Sequence, residues 1–412
     1  MTSEQNIFVG FDVRAPEALP VGLLKLERQG MIESGEFVYG KSYLQSENAI
    51  AIHPEIFPLR KEAFLIPEKR LRDGGALPLI FQDALPDSWG RKVLEVQFEK
   101  KISDIETLCI TNEDRVGALM FSQTLPIVVP QMNQTTFLLE DISKATRELE
   151  LSMEVSPEMR RLLQHGGSLG GARPKTTIVH EKKRYLAKFP ALGDDHDVEL
   201  LEKCILDLAQ LCGIEVPLSL LIPLGHGHAL LVSRFDREGL IGQETKKHYL
   251  SASALMNIPY ESHLGSYHEF ANILRRISIQ PAKDLEQLFL RLVFNLFIDN
   301  TDDHVKNHGV LHVGQGQYRL SPAFDMVMQM TNLGYQELAI MPSKHHSKMS
   351  YAFEIAPLLG LSNVQAKNII QNLQVIIPVQ LIKNIQALGG SDSLVTKVKR
   401  CLGRQQQIIW GQ

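Results

Sequence analysis

Apolar residues along this chain repeat with two periods, and the change from one to the other organises it. Near the start, short strand-like runs, IFVGF at 7–11, VGLLKLER at 21–28 and EFVYGKSY at 36–43, are separated by Gly- and Pro-containing turns. A helical patch covers 81–101, and VGALMF at 116–121 adds a strand. TLPIVVPQMNQTT (124–136) has two prolines and no charge, which marks a boundary. Beyond it FLLEDISKATRELEL has amphipathic helical spacing. Ser156-Pro157-Glu158 then supplies the N-cap, first-turn proline and first-turn acid of another helix start. TTIVH and YLAKFP, joined by the charged turn EKKR, predict a hairpin, as do VPLSLLIPL (216–224) and ALLVSRFDREG (229–239) around Gly-His-Gly-His. Between them, VELLEKCILDLAQLCG (198–213) predicts a helix whose buried stripe is Val198, Leu201, Ile205, Leu208 and Cys212.

From about residue 241 the helical period takes over. SASALMNI, HEFANILRRI (268–277), DLEQLFLRLVFNLFID (284–299), NVQAKNIIQNLQVI, PVQLIKNIQALGG and SLVTKVKRCL predict helices, with KHHSK (344–348) a loop. The segment 284–299 carries apolar side chains on almost every face, so it predicts a helix buried inside a lobe. Three domains follow: a β-rich N-terminal subdomain at 1–125, a second β-rich lobe at 126–240 and a helical lobe at 241–412.

Candidate chemistry begins where the buried helix ends. Asp302 is followed five residues later by Asn307, then by strand-like 310–313, a Gly-Gln-Gly-Gln turn, strand-like 318–320 and Asp325. If the strands pair, Asn307 and Asp325 become neighbours. A carboxylate able to accept a hydroxyl proton, with an amide and a second carboxylate at this spacing, is the plan of a protein-kinase catalytic loop. Mg²⁺ takes oxygen ligands and usually only one or two protein carboxylates, so Asn307 and Asp325 are a sufficient protein share. The plain alternative is that Asp302 caps a turn and Asn307 and His308 decorate a loop. His304 and His308 have the spacing of a helical zinc pair, but no Glu lies between them in the HExxH manner and Gly309 stops a helix at once.

Upstream, GGSLGGARPK (166–175) could bring backbone N–H groups to phosphate oxygens, since glycine has no Cβ in the way. It is not a Walker loop, because Ala172 rather than Lys follows Gly171, and alone such a stretch is more often an ordinary flexible turn. Lys188 on a strand, with Glu202 (preferred over Glu199) on the next helix, matches the device by which kinases hold the α- and β-phosphates; the alternative is a surface lysine beside a solvated acidic helix. Ser233, Arg234 and Phe235 fall at the exit from the β lobe, where kinase backbones meet adenine. His226 and His228 sit in a turn and are expected to face solvent.

Composition narrows the classes. With 43 basic and 47 acidic residues and a net charge of −4, nothing in the total suggests a chain that binds nucleic acid by itself. Cys109, Cys204, Cys212 and Cys401 have no CxxC spacing and read as small apolar residues in a reducing compartment. No basic region followed by an apolar core opens the chain, and Arg291 and Asn295 interrupt the most apolar run. A cytoplasmic protein that neither spans a membrane nor carries a signal peptide is expected.

In order and spacing, SLGGARPK, the lysine of LAKFP, SRFDR, NTDDHVKN and SPAFD resemble the HipA family of serine/threonine kinases, the toxin halves of bacterial toxin–antitoxin pairs. ALPDSWGR and DRVGAL extend the resemblance into the first domain. It implies an α+β, two-lobed protein-kinase-like fold with an extra N-terminal subdomain and an all-helical C-terminal lobe. It implies ATP and Mg²⁺ as cofactors, with Asp302 as catalytic base, Asn307 and Asp325 on the metal, and Lys188 on the phosphates. The loop Leu169, Gly170, Gly171, Ala172, Arg173 to Lys175 would cover the phosphates, the backbone of Ser233, Arg234 and Phe235 would meet adenine, and His304, Val305 and Lys306 would line the nucleotide. Ser168 matches a serine that family members autophosphorylate, where phosphate charge would repel ATP or eject the loop. Expected partners are a small helix-turn-helix antitoxin, through which most DNA contact is made, and a protein substrate, in several members an aminoacyl-tRNA synthetase. Two positions depart from the pattern: Arg173-Pro174 stiffens the glycine loop, and Asp303 places a second acid beside the base.

Overall fold

A computed structural model describes residues 2–12, 18–111, 115–128, 138–151 and 173–411. The expected helix start at Ser156 and the glycine turn from 166 to 172 lie outside these residues. The described chain forms two compact units. The first comprises Met1–Tyr185, Asp236–Leu250 and Leu311–Gly316; the second comprises Leu186–Phe235, Ser251–Val310 and Gln317–Gln412.

The first unit is built on an antiparallel sheet of β1 (Thr2–Phe11), β2 (Leu19–Gln29), β3 (Ile32–Tyr39), β4 (Phe64–Arg70) and β5 (Leu119–Ser122), in the order β4-β3-β2-β1-β5. Alternation along β1 turns Ile7, Val9 and Phe11 into the core, and β2 adds Val21, Leu24 and Leu26. Phe37, Phe57, Phe64, Phe81 and Phe121 pack ring to ring, edge to face except for a tilted Phe37–Phe81 pair, with these ring centroids 5.3 to 5.9 Å apart. Gly22 is required at its position: a Cβ there would lie 2.4 Å from Val38 O and 2.8 Å from the Phe37 ring. The run predicted as a strand over 36–43 ends at Tyr39, and Lys41–Leu44 forms one helical turn after Gly40. The helical patch over 81–101 divides into Leu79–Gln82 and α1 (Ser88–Phe98), separated by Pro86, which cannot continue a helix. Two further helices follow, α2 (Asp104–Ile110), closed at its start by a Ser103/Glu106 capping box, and α3 (Leu139–Glu150). Then β6 (Lys175–His180) and β7 (Lys183–Lys188) lie side by side, and the division between units falls within β7.

The second unit is mostly helical. Asp197 caps α4 (Val198–Leu211) by accepting the Leu200 N–H at 3.0 Å. The buried face of α4 is broader than the predicted stripe, taking in Leu200, Cys204 and Leu206 as well as Leu201, Ile205 and Leu208, while Val198 and Cys212 are only half-buried. A hairpin of β8 (Ser219–Pro223) and β9 (His228–Ser233) pairs Ser219 with Val232. His228 does not face solvent freely: its Nδ1 meets Asp197 Oδ2 at 2.6 Å, behind the start of α4. Next come α5 (Tyr267–Ile277) and α6 (Pro281–Phe297), which is buried on nearly all faces as its composition predicts. The chain then runs through β10 (Gly309–Gly314), most of which belongs to the first unit, and β11 (Gln317–Leu320), after which the Ser321 N–H returns to Gly309 O at 2.9 Å. The chain from 321 to 334 has no regular element.

The two helices predicted on either side of Pro378 are one, α7 (Asn363–Ala387). Proline removes one backbone donor and crowds the preceding turn, which would normally end the helix. Here Leu373, Ile377, Leu381 and Ile385 continue a single buried stripe through it, and their packing outweighs the lost bond. The last helix, α8 (Asp392–Trp410), is capped by Ser391 and packs against α6 and α7.

Candidate active site

Lys188 ends β7 and is buried in the second unit. Its Nζ lies 2.6 Å from Glu202 Oε1 on α4 and also donates to Asp325 Oδ1. One turn of helix separates Glu199 from Glu202, and it is Glu202 that faces the lysine, through the rotation of α4 fixed by its buried leucines. Burial opposes the lysine's charge, but the carboxylates of Asp325 and Glu202 outweigh it and hold the pKa above the ordinary lysine value. Three groups read from separate parts of the sequence thus form one bridged cluster.

The Asp302–Asn307 motif follows α6. Adjacent acids Asp302 and Asp303 point to opposite environments. Asp303 is buried, accepts a hydrogen bond from Tyr267 Oη, and lies 3.0 Å from His308 Nε2. Asn295 Nδ2 donates to the same tyrosine oxygen at 3.2 Å, and Asn300 Nδ2 donates to Asn295 Oδ1 at 3.1 Å. Burial would raise the Asp303 pKa, yet the His308 and Tyr267 contacts bring it below the ordinary value. The second acid of the motif is therefore a structural anchor. Asn295, noticed in the sequence only as an interruption of an apolar helix, was the signal for it.

Asp302 has an exposed side chain. Partial withdrawal of water is still the largest influence on it and raises its pKa; His304 opposes this, while Asp325, Glu337 and Asp303 add to it. Asn307 is buried beside it in a short 3₁₀ turn, Val305–Asn307, whose Lys306 N–H is accepted by His304 Nδ1. Asn307 Nδ2 donates to Asp302 O at 3.2 Å, so the amide turns its oxygen away from that carbonyl. The His304 ring packs on Tyr260 with centroids 4.5 Å apart, and Lys306 Nζ lies 5.7 Å from the same ring. His304 and His308 thus engage different partners, and among the described residues no group of three His, Cys, Asp or Glu is arranged to hold a metal.

Asp325 sits in the left-handed region, φ 55°, which aspartate tolerates better than most residues. The loop carrying it is fastened at Ala323, whose N–H donates to Glu215 O at 2.7 Å, and at Phe324, whose ring stacks on Phe235 at 5.2 Å. Phe324 was missed by sequence reasoning, since aromatic stacking across 89 positions leaves no local pattern. Phe235 therefore adjoins the Asp325 loop. The Ser233 N–H donates to Leu218 O at 2.8 Å, at the base of the hairpin. Arg234 is buried.

Of the glycine loop, Ser168, Leu169, Gly170, Gly171 and Ala172 lie outside the described residues. Arg173 is half-buried, and Lys175 begins β6 in the first unit, where its carbonyl accepts the Trp89 indole N–H at 3.0 Å. The rest of SRFDR also serves that unit. Asp236 Oδ2 accepts the Gly117 N–H at 2.8 Å and pairs with Arg237 Nη1 at 2.6 Å, and Arg237 Nη2 donates to Arg115 O. Arg115 itself is buried and donates to Leu108 O and Thr111 Oγ1. Arg115 and Gly117 of DRVGAL and Asp236 and Arg237 of SRFDR, noted separately in the sequence, are hydrogen-bonded together.

The chain is similar to known proteins. The description "HipA-like C-terminal domain" matches residues 167–380, and "HipA N-terminal domain" matches 12–122. The Sinorhizobium fredii protein Y4mE, whose name describes it provisionally as a kinase, is 24% identical over 351 residues, 77% of this chain and 76% of its own length. The serine/threonine-protein kinase toxin HipA of Shewanella oneidensis is 22% identical over 233 residues, 50% of this chain and 54% of its own. A solved Shewanella oneidensis MR-1 complex of HipA, HipB and operator DNA aligns over 98% of this chain and 97% of the matched chain, with a TM-score of 0.72 and 18% identity, a likeness of fold. With more than half its length matched by the C-terminal domain, a toxin kinase among its relatives and an α+β kinase-like fold, the chain belongs to the HipA family of kinases.

Proposed function

We propose that this protein transfers the γ-phosphoryl group of ATP to a serine or threonine hydroxyl of a protein target, with an aminoacyl-tRNA synthetase as the expected target and arrest of translation as the consequence. The observation that carries the reading is Lys188 held between Glu202 and Asp325 while Asp302 and Asn307 stand on one short loop. In this reading Lys188 contacts the α- and β-phosphates, and Asp302 orients the acceptor hydroxyl and accepts its proton. Carboxylate plus amide oxygen is a donor set of the kind Mg²⁺ shares with phosphate and water, so Asn307 and Asp325 would hold the ion, which would offset phosphate charge. The protein's own contribution is positioning and a fixed field. Residues 126–240 would supply the nucleotide-binding lobe and 241–412 the catalytic lobe, after an N-terminal subdomain at 1–125.

Ser168 is proposed as an autophosphorylation site that silences the enzyme. A helix-turn-helix antitoxin is the proposed neutralising partner, with operator DNA reached mainly through it, by analogy with the solved Shewanella assembly. The test is mass spectrometry of the full chain after incubation with Mg-ATP, beside Asp302→Asn. New phosphate on the wild type alone, with Ser168 among the sites, is the expected result. No phosphate and no shift of the melting midpoint with Mg-ATP would sink the kinase reading. It would favour a non-catalytic corepressor acting through an antitoxin.

A further inference from the structure

The exit of α6 is tied to the last helix by a closed ring of hydrogen bonds. Asp299, three residues before Asp302, is fully buried and left-handed, φ 56°. Its carbonyl accepts the Gln329 N–H at 3.2 Å, and its Oδ2 accepts the Asn332 N–H at 2.8 Å and the Cys401 Sγ–H at 3.6 Å. Asn332 Nδ2 in turn donates to Cys401 O and to Gln405 Oε1, each at 3.1 Å. Gln405, fully buried on α8, donates through Nε2 to Leu296 O at 2.8 Å, returning to α6. The ring therefore joins the root of the catalytic loop, the segment that follows Asp325, and α8.

That following segment needs support from outside itself. Asp325, Met330 and Asn332 all have φ between 52° and 55°, and no helix or strand holds residues 321–334. Left-handed L-residues persist where surrounding contacts over-determine them. Asp299 and Asn332 are also suited to bridge, since Asp and Asn tolerate this backbone and carry short polar side chains. Burial pushes the Asp299 carboxyl above its ordinary pKa, while the Asn332 N–H and the Cys401 thiol pull it back.

We propose that α8 is a latch that sets the placement of Asp302 and Asp325 together, with Asn332 and Gln405 as positioning residues that touch neither nucleotide nor acceptor. The proposal rests on the kinase reading for its catalytic meaning and on the hydrogen-bond ring for its structural content. Two variants of the full chain test it. Asn332→Gly keeps the left-handed backbone and its N–H but deletes the amide; Gln405→Met keeps the volume but removes donor and acceptor. Hydrogen exchange in peptides covering 299–308 and 325–334 is expected to quicken about tenfold in both variants, with α4 unchanged. Phosphoryl transfer is expected to lose about tenfold in kcat with the ATP KM held within about twofold, and the double variant to lose no more than the worse single one. Faster exchange confined to α8, or a loss of rate matched by a rise in KM, overturns the latch. A wild type without transfer overturns the kinase reading instead, and the exchange comparison then decides the latch alone.

Discussion

Asp302 and Asp303 are neighbours in the chain and opposites in chemistry, which sets what substitutions there will do. The Asp302 pKa is raised, and in the proposed reaction this carboxylate must be deprotonated to accept the hydroxyl proton, so the acid limb of kcat/KM is expected above the ordinary aspartate value. Glu337 contributes to the rise; Glu337→Gln is expected to move that limb to lower pH in a rate profile run from about pH 4 to pH 8, with the plateau unchanged. Asp303 titrates lower in the folded chain, so its stabilisation is present above its unfolded pKa and is lost as pH falls through the folded value. Asp303→Ala leaves His308 and Tyr267 without their acceptor. It is expected to cost about 3–5 kcal/mol in denaturant unfolding at neutral pH, a loss of fold rather than of chemistry alone. The sequence offered the two acids as equals beside a motif. Only Asn295, Tyr267 and His308, reached across three elements, tell them apart.

At the scale of elements, α7 is the clearest case of packing overruling propensity. A helix stripe of Leu373, Ile377, Leu381 and Ile385 runs past Pro378, whose ring would end an exposed helix. Pro378→Ala restores a backbone donor and a better helix former, and is expected to raise the unfolding free energy by about 1–3 kcal/mol, read as a higher denaturant midpoint. The α4 prediction succeeded for a related reason. Its leucines fix the rotation of the helix, and that rotation alone selects Glu202 rather than Glu199 for Lys188. The β8–β9 and β10–β11 hairpins were equally legible, because alternating apolar runs around glycine turns leave few other pairings. His228 was not, since its partner Asp197 lies 31 positions away.

Across the whole molecule, the chain passes between its two compact units at Tyr185, Phe235, Leu250, Val310 and Gly316. A linear division into domains therefore cannot describe how each unit is completed. The stretch Asp236–Leu250 belongs to the first unit, where Asp236 closes on Gly117 and Arg237. Asp236→Ala is expected to destabilise that unit by about 3–5 kcal/mol by stranding buried Arg237. In hydrogen exchange, peptides of β1, β2 and β5 should lose protection while α6 and α7 keep theirs. No described helix is long and apolar enough to cross a membrane.

Local patterning along the chain specifies most of the described element types and the buried α6, and singles out Lys188, Asp302, Asn307 and Asp325 as candidates, because periodicity and short-range motif spacing are local properties of the chain. The tertiary structure decided which of two glutamates meets the lysine, which of two adjacent aspartates is buried, that a proline lies inside a helix, and that α8 closes a ring around the two loops. Each of those outcomes depends on contacts between residues far apart in sequence, whose energy exists only once the chain has brought them within hydrogen-bond or van der Waals reach.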